Sequence, residues 1–192
     1  MADFSAIIRG LKPVFDEKEK RQDKVLIQSR EIVRLSARAI RDIHTGEKVE
    51  LSATLAELEK MVLEIRQFDD DFSHITEHCY QEYVEIKTFL AVSYHQDLPS
   101  PEDLNMPVTS YLSGVADCVG ELRRAIQICL KEDKEDEANY YFGRMNDIYD
   151  NIMLLKYSTS IIGPLKQKQD MVRSSIDHAR SELLMAKFSK RQ

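Results

Sequence analysis

The sequence predicts an all-α fold, a single-domain bundle of about six long helices spanning residues 1–192. Three observations predict it. Helix breakers are scarce, with six glycines and five prolines in 192 residues. Apolar residues recur at spacings of three and four over long stretches, and no convincing two-residue alternation occurs. Charged residues make up 31% of the chain, and with Leu, Ile and Ala they form the composition of long amphipathic helices.

Each element follows from that periodicity. Pro13 marks an early boundary, and Val14 to His44 reads as one long helix. Its apolar stripe is Val25, Ser29, Ile32, Ser36, Ala39 and Ile43, widened by Leu26, Val33, Ala37 and Ile40. "HTGEK" (44–48) stops it, with Gly46 as the expected C-terminal cap. A second helix spans Leu51 to Phe68, with Leu55, Leu58, Val62 and Ile65 inward and Ser52 or Thr54 near its cap. "FDDDFS" interrupts only weakly, and a third helix runs from about Ser73 to Tyr94. "HQDLPSPEDLNMP" (95–107), with three prolines, is the clearest loop. Helix four covers Val108 to Lys131, with Leu112, Val115, Val119, Leu122 and Ile126 inward. After the acidic turn "KEDKEDE", helix five covers Ala138 to Ser158. "IIGPL" is a sharp turn, and helix six runs from Pro164 or Leu165 to about Phe188. So many wide apolar stripes in one chain leave surface over for a partner subunit.

Composition narrows the function. The net charge of −6 counts against a protein that simply coats nucleic acid, unless its basic residues gather on one face. Cys79, Cys118 and Cys129 form no CxxC pair, which implies reduced thiols and a cytoplasmic setting. No signal segment or bilayer-spanning apolar run is present, so no membrane role is expected. Walker loops, nucleophile elbows, zinc fingers and metalloprotease helices are absent, and the Glu-x-x-His spacing of a di-iron bundle is not met.

The chemistry-bearing pattern is acidic. In "CYQEYVEIKTFLAV", Glu82 and Glu85 are three apart and share a helical face. In "GVADCVGELRRA", Asp117 and Glu121 are four apart, again on one face. Both pairs lie in otherwise apolar stretches. Gly114 and Gly120 interrupt the second helix at a cost of about 1 kcal/mol each relative to alanine, which suits a site where another backbone or a ligand comes close. If the two helices pack together, four carboxylates converge. Two such charges ~4 Å apart repel by ~4 kcal/mol at an effective dielectric of ~20. The cluster must then hold protons, hold a cation or turn its members apart, and Mg²⁺ or Mn²⁺ is the natural partner for all-oxygen ligands. The same spacings also suit solvated helix edges.

At these residues the chain resembles a known family. "QEYVEIKTF" followed by "YLSGVADCVGELRR" resembles the translin family, and the branch of translin-associated factor X more than translin itself. "SREIVRLSARAIRDIH", "FGRMNDIYDNIMLL" and "YSTSIIGPLKQKQDMVRSSID" resemble the same family's flanking helices, so the resemblance covers nearly the whole chain. It implies an all-helical subunit of a hollow, octamer-like closed shell that encloses single-stranded or partly duplex RNA. The factor X branch carries a Mg²⁺-dependent endoribonuclease site of four acids, which translin lacks. By motif these are Glu82, Glu85, Asp117 and Glu121, as metal ligands and catalytic groups. The chain also departs from the pattern. Its 95–107 loop is short, no nuclear-targeting segment is evident, its end reads "LLMAKFSKRQ", and the basic strip before the third helix is reduced to "DDDFSHITEHC". A compact, prokaryotic-type homo-oligomer fits these departures.

The expected chemistry is metal-assisted phosphodiester hydrolysis, with one acid, Glu85 for instance, orienting the water. Candidate RNA contacts are Arg30, Arg34, Arg38 and Arg41, a charged stripe along the first helix, or else a solvated face paired with Glu31 and Asp42. Arg123 and Arg124 follow the second acidic pair and could steady a phosphate, or pair with the acidic 131–137 segment. His78 and His74 lie one and two turns before Glu82 and could hold RNA, or sit on the helix surface. The rival function is a non-catalytic oligomer that binds RNA or single-stranded DNA.

Overall fold

The computed structural model describes residues 3–189. The chain forms α1 (Phe4–Thr45), α2 (Lys48–Ile65), a 3₁₀ turn (Arg66–Phe68), α3 (Asp69–Ser93), α4 (Val108–Lys131), α5 (Glu135–Ile152), the single turn α6 (Thr159–Ile162) and α7 (Leu165–Ser189). No strand occurs among the described residues. Six long helices plus one short turn match the expected all-α bundle. The end of "LLMAKFSKRQ" beyond residue 189 lies outside the described residues.

The helices form two triads. α1, α2 and α3 pack on one another, as do α4, α5 and α7, and the triads join along a long α3–α4 seam. The core runs through both, from Ile32, Leu35, Leu58 and Val62 to Phe89, Leu122, Ile126, Met145 and Val172. The seam is tight because of Gly114. A Cβ there would stand 2.5 Å from the Gln81 carbonyl oxygen and 2.7 Å from Val84 Cβ, so only glycine lets these backbones approach so closely. Gly120, by contrast, is exposed with nothing within 4 Å, so the close approach expected there does not occur.

Several boundaries differ from the sequence reading for physical reasons. Pro13 lies inside α1 rather than before it. Its surroundings are exposed, so water can satisfy the carbonyl that the ring leaves unpaired. The α1 stripe buries Leu35, which was not expected, and exposes Ala37, which was. Gly46 caps α1 as expected, with φ 73°, and the Glu47 N–H closes on the Asp42 carbonyl at 3.0 Å. The chain re-enters helix at Lys48, so Ser52 and Thr54 fall inside α2 rather than at its cap. The Arg66–Phe68 turn ends α2 early, and a non-helical Phe72 (φ −136°, ψ 36°) kinks the start of α3. α5 stops at Ile152, six residues early, where Gln169 on α7 donates to the Ile152 and Leu155 carbonyls.

Candidate metal and nucleic-acid site

The α3–α4 seam carries both acidic pairs. Glu82 directly follows Gln81, the residue that Gly114 contacts, and Glu85 lies about one turn further on, while Asp117 and Glu121 follow Gly114 on α4. All four carboxylates lie within electrostatic reach of one another. Burial first, then the charges of Glu82, Asp117 and Glu121, push the Glu85 carboxyl up to about 8, with Lys168 opposing. Burial likewise raises Glu82, with His78 and Lys168 opposing and Asp117 and Glu121 reinforcing. Burial first, then the carboxyl groups of Glu85, Glu121 and Asp117, holds the Cys118 thiol well above its usual range.

Two further elements reach the cluster. Lys168 on α7 donates to an Asp117 carboxylate oxygen, to Gln81 Oε1 at 3.1 Å and to the Ser113 carbonyl at 3.4 Å. His44, in the last turn of α1, stands 2.7 Å from Glu121 Oε2 and packs against the Phe89 ring, with its side chain 5% exposed. It also lines a 730 Å³ cavity bounded by the α4–α5 turn. Sequence reasoning named neither residue as part of a site. Their contacts span 51 and 77 positions, and no local spacing signals them.

The donor set fits a hard divalent cation. It consists of carboxylate oxygens, and one of its acids is neutralised at neutral pH only by a proton. In the present rotamers no three His, Cys, Asp or Glu side chains among the described residues stand ready around one point. Asp117 and Glu121 are engaged by Lys168 and His44 instead.

The candidate cations divide. Arg34 is clamped to Glu31 at 2.5 and 2.9 Å, and Arg38 pairs with Glu50 and lies 3.9 Å from buried Asp42. These two follow the solvated-face alternative, although Arg38 takes Glu50 as well as Asp42. Arg30 and Arg41 are exposed and make no ion pair among the described residues. Arg123 is not paired with the 131–137 segment. It binds Glu182 on α7 at 2.6 Å, where Gln127 joins it at 2.9 Å. It therefore ties α4 to α7. Arg124 is exposed and 3.7 Å from Glu121. His78 lies 3.7 Å from Glu82, and His74 is exposed on the same helix. Tyr80 and Tyr83 are core residues, and the three cysteines are free and buried.

The translin family model matches residues 19–181. An uncharacterized protein of Methanocaldococcus jannaschii is 28% identical over 171 residues, covering 87% of this chain and 77% of that protein. Among solved structures, AfC3PO superimposes with a TM-score of 0.82 at 26% identity, covering 96% of this chain and 99% of that one. The complex of AfC3PO with duplex RNA gives 0.81 at 25% identity, covering 96% and 98%. Apo-NeC3PO shares the fold, with a TM-score of 0.82 at 19% identity and coverage of 93% and 96%.

Proposed function

The chain belongs to the translin family, and on that premise we propose that it is an RNA-binding, homo-oligomeric, divalent-metal-dependent endoribonuclease. We place it nearest the factor X branch, as a compact prokaryotic-type member. The observation that carries the reading is the four-carboxylate seam, where burial first, and then its acidic neighbours, push the Glu85 carboxyl up to about 8. A purely structural seam gains nothing from such crowding. The duplex RNA bound by AfC3PO supports RNA as the ligand.

Glu82, Glu85, Asp117 and Glu121 would hold one or two Mg²⁺ or Mn²⁺ ions, which supply Lewis acidity and a lowered water pKa. The rest falls to the chain's own groups. Asp117 is oriented by Lys168 and Glu121 by His44. Glu85, more deeply buried than Glu82, orients a water or gives up its proton as positive charge enters the cluster. Arg30, Arg41 and Arg124, exposed on α1 and α4, meet phosphates, and His78 lies beside Glu82 for the same purpose. Assembly into a closed shell would bring these groups to one enclosed surface. The free, buried cysteines support a cytoplasmic protein, and no described helix is long and apolar enough to cross a membrane.

The engagement of Asp117 and Glu121 by internal cations favours one second reading, a non-catalytic oligomer that binds RNA or single-stranded DNA. Labelled single-stranded RNA and DNA, incubated with the pure protein in Mg²⁺ or in EDTA, separate the two. Cleavage of RNA only with metal, lost in Asp117→Asn and Glu121→Gln, supports the nuclease. Metal-independent retention without product supports the binding protein. Size-exclusion chromatography with light scattering tests the shell, and a clean monomer refutes it.

A further inference from the structure

Among the described residues Lys168 is the one ammonium that reaches into the carboxylate cluster from another helix, and its geometry is unusually complete. Its side chain is 17% exposed. An ammonium has three N–H donors, and here three acceptors surround it: Asp117, Gln81 Oε1 and the Ser113 carbonyl. Two of these are neutral and come from the two helices that form the seam. Only Asp117 belongs to the carboxylate set.

We propose that Lys168 is the resident cation of this site, a positioning residue that holds Asp117 until a divalent ion takes its place. This rests on the proposed metal site and adds to it a specific competitor. When the ion arrives, the Lys168–Asp117 contact opens while the ammonium keeps Gln81 and Ser113. One N–H of Lys168 would then be free to donate to an oxygen of an RNA phosphate. Lys168 thus holds the acids together when no metal is bound and tunes how tightly metal is held.

The test uses the full chain with Mn²⁺ as probe, free ion being measured by electron paramagnetic resonance in wild type, Lys168→Met, Lys168→Gln and Lys168→Arg. Removing one positive charge a few ångströms from a divalent ion should tighten binding by about tenfold in the Met and Gln variants. The Arg variant should stay near wild type. A merely structural lysine makes the opposite prediction, since its loss would loosen the site and weaken Mn²⁺ binding. Affinity that is unchanged or weaker in Met and Gln variants of native helicity overturns the inference. Failure of wild type and all variants to bind Mn²⁺ overturns the metal site itself, and Lys168's role with it. Binding by wild type that Asp117→Asn abolishes, with no gain in the Lys168 variants, leaves the metal site standing and removes only the inference. A readout on wild type alone guards against misfolded variants. Lysine-directed acylation mapped by mass spectrometry should modify Lys168 faster in Mg²⁺ than in EDTA, and equal rates overturn the proposal.

Discussion

Replacing Gly114 with alanine should loosen the seam that carries the acids, and the magnitude can be worked from its contacts. The new Cβ would lie 2.5 Å from the Gln81 carbonyl oxygen and 2.7 and 2.9 Å from two Val84 side-chain carbons. Ordinary contact needs about 3.4 Å or more, so α3 and α4 must separate by several tenths of an ångström. Backbone is among the obstacles, so a rotamer change alone cannot relieve it. Overpacking of this kind costs about 1–3 kcal/mol. Alanine returns up to about 1 kcal/mol of helix propensity, and with three close contacts the net should be destabilising by about 2 kcal/mol. In a chain of this size that lowers Tm by about 4–8 °C. Gly120 is the internal control. It lies on the same helix, exposed, with nothing within 4 Å, so Gly120→Ala should stabilise by up to about 1 kcal/mol. Urea or thermal melts followed by circular dichroism measure both. Opposite signs are expected. If Gly114→Ala is neutral or stabilising, or if both variants shift together, the close approach of α3 and α4 is wrong. The same variant should lose affinity for Mn²⁺, because Glu82 and Glu85 lie the next residue and about one turn on from the displaced Gln81 carbonyl.

Glu85 predicts a pH dependence. Its folded pKa, about 8, exceeds the unfolded value near 4.5, so the folded state binds the extra proton. Stability is therefore fully present below about 4.5 and falls as pH rises towards 8, with a slope of up to about 1.4 kcal/mol per pH unit. In EDTA, Glu85→Gln should flatten urea midpoints across that window, and identical pH profiles for variant and wild type would refute the assignment. Added Mg²⁺ should stabilise wild type more at pH 8 than at pH 5, since binding competes with that proton. Arg30→Ala combined with Arg41→Ala should weaken RNA retention and reduce the salt slope by about 2, whereas Arg34→Ala should act less because Glu31 already occupies it. His44→Ala removes a buried partner of Glu121 and its packing on Phe89. It should destabilise by about 1–3 kcal/mol in melts, and a neutral result would place Glu121 in a wetter position than described here.

Local pattern made the helices legible, because a 3.6-residue period is written in consecutive residues. α4 came out with its boundaries unchanged, and Gly46 acted as the cap its position implied. Pro13 misled because a proline's effect depends on whether its freed carbonyl meets water or protein. Gly114 and Gly120 looked alike in sequence, and only the neighbour facing each distinguished them. The arginine stripe divided for the same reason. Arg34 and Arg38 find carboxylates, while Arg30 and Arg41 find none among the described residues.

The sequence by itself determined the all-α class, the two acidic pairs and the helical face each pair occupies, since i to i+3 and i to i+4 spacing suffices for that. Only the tertiary structure decided that the two faces meet, that a glycine sets their separation, and that Lys168 and His44 join them from α7 and α1. The physical reason is range. Periodicity acts within a few residues of one helix, whereas charge, burial and steric contact act through space, between positions the chain brings together only when it folds.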